Sequence, residues 1–308
     1  MTFAIGLGLM ELPFSSGDSY WRWIEMCENG GVDSVWQTDR LVSDRPYLEC
    51  ISTMAAIAGA TSRLKFGMNV VSVGLRDPLL LAKQCATIDM LSNGRLLPGF
   101  GIGNVRAADW SATGTATAGR GQRTNEALEI ISRLWSEKSV NFAGKYFEYN
   151  GAMILPKPIQ KNLPMWIGGS SIHAITRTAR YGTGWQAGLE TPEEIKPVIE
   201  AIKEALQKEN RTIPHDHYGA AFSYRFGNWQ GRAVQETANF FSTHLKKNPS
   251  TRLAIGGADE IISRIVNFIE AGASKFILNP IGSNDADIFI QTERLINEVL
   301  PEVKKLNA

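Results

Sequence analysis

Gly168-Gly169-Ser170-Ser171 stand between a short apolar run, Met165–Ile167, and a segment with helical spacing. Glycine lets backbone approach a ligand closely, and free amides at a helix start, with serine hydroxyls beside them, bind anions. That chemistry suits a phosphate. The same residues also serve as a serine N-cap in a tight strand-to-helix turn. A second glycine turn, GFGIGN at Gly99–Asn104, lacks the third glycine and the later acidic residue of a dinucleotide fingerprint. Placed on adjacent strands, the two turns converge on one ligand.

Few acids or bases accompany them. The expected strand ends offer Glu11, Asp39, Arg40, Asn69, Trp185, Gln186, Tyr224, Arg225 and the run Asn279–Asn284. Lys65 and Lys275 fall at strand starts, away from any site built on strand ends, so neither suits a Schiff base. His173 reads as solvated helix surface, and His215 and His217 precede a strand, which argues against a metal site. Cys27, Cys50 and Cys85, odd in number and far apart, read as buried free thiols. Trp21, Trp23 and Trp135 have helical placement and read as packing.

The elements that position these residues alternate. Short β-branched runs are followed by amphipathic ones, the pattern of a parallel sheet with helices outside it. The strands are FAIGLGL, VDSVWQTDR, RLKFGMNVVSV, RLLPGFGIGN, PMWIGG, GTGWQAG, YGAAFSYRFGN and SKFILNPIG. Helix signals include Asp18 as an N-cap, a helix from about Tyr47 to Gly59, Asp77-Pro78 opening a helix that Gly94 ends, and a capping box at Thr191–Glu194. VRAADWSATGTATAGRG is too long for a tight connection and reads as a functional loop. The segment from Val140 to Asn162 reads as a hairpin before the fifth strand, and two helices, near Arg232–Leu245 and Asp259–Ala271, follow the seventh. The fold class is therefore α/β, a (β/α)8 TIM barrel with insertion loops after strands four and seven, whose active site belongs at the C-terminal strand ends.

Composition limits the partners. With 308 residues and a formal charge of +1, the chain has the size of one barrel and no electrostatic reason to bind nucleic acid or an anionic membrane. No run approaches a membrane span, and the first residues carry no secretory pattern, so the expected compartment is cytoplasmic.

The segments DSVWQTDRL, FGMNVVSVGLRDPLLLAKQCATIDMLSNGRLLPGFGIGN, LPMWIGGSSIHAITRTARYGTGW and GGADEIISRIVNFIEAGASKFILNPIG, in this order over nearly the whole chain, resemble the bacterial luciferase-like superfamily of flavin and deazaflavin oxidoreductases. The resemblance implies one luciferase-like barrel domain over residues 1–308, often a homodimer, with a reduced flavin-type cofactor at the C-terminal mouth. It implies a non-prolyl cis peptide near Asn69-Val70, with Gly103 and Asn104 close to the ring or its tail. Gly168, Gly169, Ser170 and Ser171 would hold the phosphate. Trp185, Tyr224 and the loop from Arg106 to Gly119 would form wall and lid, and Asp39 a polar group near the ring and candidate catalytic residue. Two departures stand out: Asp39-Arg40 replaces an acidic-histidine pair, and Ile102 occupies a position where some relatives carry Arg or Thr, leaving backbone amides for the phosphate.

The function this implies is a monooxygenase using reduced FMN and oxygen on a small organic substrate, with a separate flavin reductase as partner. The alternative is hydride transfer by a reductase or dehydrogenase dependent on the deazaflavin coenzyme F420. A phosphosugar isomerase or aldolase would need a strand-end lysine or a carboxylate pair. A flavin-binding protein without turnover is the remaining class.

Overall fold

The computed structural model describes residues 2–307. Chain order begins β1 (Ala4–Leu9), α1 (Gly17–Asn29), β2 (Ser34–Gln37), α2 (Cys50–Ala60), then β3 (Lys65–Met68, resumed at Val71–Ser72) and α3 (Pro78–Leu91). Next come β4 (Leu96–Leu97, resumed at Gly99–Gly101), α4 (Asp109–Ala112), α5 (Arg120–Ser136) and an antiparallel hairpin, β5 (Val140–Ala143) with β6 (Glu148–Ala152). The chain continues through β7 (Trp166–Gly168), α6 (Ile172–Tyr181), β8 (Gly184–Gln186), α7 (Pro192–Lys208), β9 (Tyr218–Phe226) and α8 (Arg232–Thr243). It finishes with β10 (Leu253–Gly256), α9 (Ala258–Glu270), β11 (Lys275–Pro280), α10 (Asp285–Arg294) and α11 (Leu300–Lys305).

Apart from the hairpin, the strands form one curled parallel sheet. Its pairing runs β1-β2-β3-β4-β7-β8-β9-β11 and returns to β1, because the interrupted strands β3 and β4 pair with each other on both sides of their breaks. This is the arrangement of a (β/α)8 barrel. The added strand β10 pairs with the outer half of β9. Its four residues lie inside a stretch where the sequence pattern gives only helices, too short to register as a period.

Between β3 and β4, Gly67 pairs with Leu97 and Val71 with Phe100. The step is four residues on one strand and three on the other, so β3 carries an extra residue at Asn69-Val70. Inside the barrel pack Trp36, Leu97, Trp166, Ala221 and Ile277, and the larger core lies between sheet and helices.

Helix starts differ from the sequence reading where a better acceptor stands nearby. Ser16, not Asp18, caps α1, accepting from the Ser19 amide. The second helix begins at Cys50 and not Tyr47, because the Glu49 carboxylate accepts from the amides of Ile51 and Ser52. Asp77 caps α3 through the Leu80 amide, and Thr191 with Glu194 completes the capping box of α7. The final helix is interrupted by a wide turn at Leu295–Val299, just ahead of Pro301, which has no amide to donate.

The strand-start end is closed by charge. Lys275, 4% exposed, pairs with Asp33, whose other oxygen takes Lys65 at 3.2 Å. Burial alone would raise the Asp33 carboxyl, but the two ammonium groups hold it down from its usual 3.8 to about 2. A carboxyl depressed by folding contributes stability above its unfolded value and loses it as pH falls toward the folded one. The wild-type urea midpoint is expected to fall between roughly pH 4 and pH 2. Asp33→Asn should be less stable at neutral pH, through the unpaired Lys275, and flatter over that acidic range; an equally steep acid loss would contradict the assignment.

Among the described residues, no helix is long and apolar enough to cross a membrane.

Candidate functional site

The extra residue in β3 forms the centre of the C-terminal mouth. The Asn69-Val70 peptide is cis. Val70 turns inward among three glycines: a Cβ built on Gly99, Gly101 or Gly168 would stand 3.2, 2.7 or 3.0 Å from its methyl groups. At Gly99 a side chain would also meet the Met68 carbonyl oxygen at 2.1 Å, so only bare backbone fits beside this corner. The result is a corner of side-chain-free peptide packed around one half-buried valine, a shape suited to a flat ring.

Asp39 supports the corner from below. Arg76 donates to both carboxylate oxygens, at 2.8 and 2.7 Å, and the Ser72 amide donates to one of them at 2.9 Å. The carboxylate is 2% exposed and the guanidinium 13%. Burial works against the Arg76 charge, and Asp39 outweighs it, raising the guanidinium. Asp39 therefore fastens the end of β2 to the turn after β3. Its oxygens accept three hydrogen bonds from the protein, which gives it a positioning role through Arg76 in place of the catalytic one expected.

Three other expected residues are also committed to the protein. Trp185 is fully buried and donates to the Gly169 carbonyl at 2.8 Å, so it shapes the glycine turn rather than lining a pocket. Tyr224 is buried, with its hydroxyl on the Gln291 carbonyl at 3.2 Å, and forms no wall. Asn104 spends its side chain on the Arg106 amide and its carbonyl on the Trp110 indole. Gly103, in the left-handed region, lets that indole and Ser72 close in. The expected lid is pinned: Trp110 is buried, and Asp109 accepts from the Leu41 amide at 2.7 Å while Arg40 lies 3.8 Å from its other oxygen.

The Gly168–Ser171 turn sits beside Val70 at the mouth. Gly169 has φ 105, a value that disfavours any side chain, and Ser171 caps α6 through the Ala174 amide. Ser170 donates to Glu190 at 2.5 Å. A buried cation stands on the helix that this turn opens. Arg177 on α6 is 7% exposed, held by Asn125 at 2.6 Å, and a Cβ on Gly121 would lie 3.0 Å from its Nη2. Burial, and next the charge of nearby Arg120, press the Arg177 guanidinium below the usual arginine range.

The Nε atoms of Arg120 and Arg123 are buried with no hydrogen-bond partner, and none of the three arginines makes an ion pair among the described residues. The first turn of α5 has no side-chain cap. Arg123 lies over the Tyr146 and Phe147 rings, whereas Arg177 with the nearby charge of Arg120 stands beside an uncapped helix start, an arrangement that fits an anion. None of the three was marked by the sequence, where Arg120 falls in a glycine-rich loop and nothing in an amphipathic pattern marks which arginine faces inward.

Across the mouth a hollow of about 300 Å³ lies between the ends of β1, β9 and β11 and helix α8. Met10, Phe240, Ile281, Asn279, Glu11 and Tyr47 line it. Arg45 bridges its rim, 2.9 Å from Glu11 and 5.2 Å above the Phe240 ring. At the opposite end of the barrel, Lys65 and Lys275 are tied to Asp33, and His217 faces the Thr183 carbonyl at 2.7 Å.

Residues 15–248 match the luciferase-like monooxygenase family. The chain belongs to that family. Its named relatives are enzymes. An F420-dependent glucose-6-phosphate dehydrogenase of Amycolatopsis mediterranei is 25% identical over 317 residues, covering 91% of this chain and 92% of the relative. An uncharacterized protein of Mycobacterium tuberculosis (strain H37Rv) is 30% identical over 173 residues, 56% of this chain, and the match spans only 59% of that relative's length. Among solved structures, an F420-dependent secondary alcohol dehydrogenase superposes with a TM-score of 0.85 at 20% identity, over 98% of this chain and 99% of the other. The monooxygenase RslO1 of Streptomyces bottropensis does so with 0.84 at 17%, over 97% and 99%. At these identities the structural likeness speaks to the fold. Beside the Asn69-Val70 corner of this chain, the Asp39 carboxylate is paired with Arg76.

Proposed function

We propose that this luciferase-like protein is a flavin-dependent oxidoreductase acting as a monooxygenase, with reduced FMN delivered by a separate reductase and a small organic substrate. The observation that supports this reading is the character of the strand ends at the Asn69-Val70 corner: bare peptide, hydrocarbon, and a carboxylate, Asp39, already consumed by Arg76. A protein so built binds, orients and excludes water, and leaves the difficult step to its cofactor.

The residues fit the group. Gly99, Gly101, Gly168 and Val70 would carry the ring, and Arg120 and Arg177 with the first amides of α5 and α6 would hold the phosphate. When bound, reduced FMN supplies oxygen activation. Met10, Phe240 and Ile281 would keep water from the substrate, and Asn279 would orient it by hydrogen bonding.

A second reading, hydride transfer with the deazaflavin coenzyme, is favoured by the relatives that are named as F420-dependent. The phosphosugar isomerase or aldolase loses its support because both strand lysines are engaged by Asp33 at the far end. Anaerobic calorimetric titration with reduced FMN and, separately, with the reduced deazaflavin, followed by admission of air, distinguishes the readings. Binding of FMN with oxygen uptake is the expected result. Binding of the deazaflavin alone, without oxygen uptake, transfers the assignment to hydride transfer, and binding of neither overturns both. FMN binding without oxygen uptake would leave a flavin-binding protein without turnover.

A further inference from the structure

The loops after β7 and β8 meet through one contact that an anion cradle does not explain. Ser170 donates to Oε1 of Glu190, yet Oε2 of the same carboxylate is buried without any hydrogen-bond partner. No cation pairs with it among the described residues; Gly188 is the bare neighbour, where a Cβ would stand 3.3 Å from Oε2. A buried carboxylate oxygen without a donor is unfavourable, so the site calls for a donor from outside the chain. A phosphate offers none at neutral pH and would be repelled.

The position narrows the choice. Gly168 touches the ring corner through Val70, and Ser171 opens the helix that carries Arg177. Residues 169–170, with Glu190 beside them, therefore lie between the Val70 corner and the helix of Arg177. Carboxylates at such intervals accept hydroxyls, as an acidic residue does on the ribose of dinucleotides. We propose that Glu190, oriented by Ser170, is a cofactor-positioning residue that accepts hydroxyls of the ribityl chain. This rests on the flavin-type reading above, but not on the choice between FMN and deazaflavin, because both carry that chain.

The test is anaerobic calorimetry with reduced FMN, riboflavin and lumiflavin, which has a methyl group in place of the ribityl chain. Glu190→Ala should weaken FMN and riboflavin alike by about tenfold or more, and Glu190→Gln by less, while lumiflavin is unchanged. Thermal unfolding of both variants separates this from a folding loss. Equal weakening of all three ligands would show a packing role and overturn the inference, as would no change in any; the latter would put the hydroxyl donor on the substrate instead. If the wild-type protein binds none of the flavins or the deazaflavin, the proposed function fails with it; if it binds them and the riboflavin-to-lumiflavin ratio is the same in the variants, only the present inference fails.

Discussion

Arg177→Ala weakens FMN by roughly 10- to 100-fold and leaves riboflavin nearly unchanged, in the expected result of a paired titration. The range follows from a hydrogen bond to a charged group, about 1.5–3 kcal/mol, at 1.4 kcal/mol per tenfold. Selectivity for the phosphate-bearing ligand is the decisive feature. Arg177 is buried, feels the charge of nearby Arg120 and makes no ion pair among the described residues. Truncation relieves that repulsion in the free protein, so its stability should hold or rise slightly while the anion loses its deepest partner. A variant that loses riboflavin as strongly as FMN would mean that Arg177 shapes the mouth and does not hold a phosphate.

Arg76→Ala is expected to cost about 3–5 kcal/mol of stability, because it leaves the Asp39 carboxylate buried, 2% exposed, with only the Ser72 amide as donor. Urea unfolding monitored by tryptophan fluorescence reads this directly. Replacing both partners, Asp39→Asn with Arg76→Met, should recover much of the loss, since an uncompensated charge is worse than an absent pair. The two single variants and the double variant form a cycle whose coupling should exceed about 1 kcal/mol. Coupling near zero would mean that the pair is dispensable and that the corner is held by packing alone.

Much of the barrel was legible because its elements obey simple periods. The alternation of short apolar strands with amphipathic helices locates every stave of the ring, and Asp77-Pro78 and Thr191–Glu194 mark helix starts through local hydrogen bonding. The short strand Leu253–Gly256 escaped because four residues between a turn and a helix carry no measurable alternation. The site was legible only where backbone decides it: the glycine turn at Gly168–Ser171 and the corner at Asn69-Val70. Side-chain roles were not, because they depend on partners far along the chain. Asp39 meets Arg76, Trp185 meets Gly169, Ser170 meets Glu190, and none of these pairings has a signature in spacing. A polar residue at a strand end can face a ligand or serve its neighbours, and the sequence alone does not distinguish these.

The extra residue of β3 also acts as a parity switch. Before it, Gly67 faces the barrel axis against Trp36, while Phe66 and Met68 pack toward the helices. Simple alternation would send positions 69 and 71 inward. Instead Val70 reaches the axis among its glycines, and Val71 and Val73 join the outer core. The neighbouring strand undergoes no such change: Leu97 faces inward, Phe100 outward, and the bare edges of Gly99 and Gly101 meet Val70. The mouth is thus made where two strands fall out of step, one reversing its faces and the other not. Shortening β3 by one residue would leave Val71 opposite Phe100 and under the helices, as it is now, and would remove only the bulge between Met68 and Val71. The residue that is surplus in the sheet thus supplies the inward corner at Val70, while the wall outside it keeps its register.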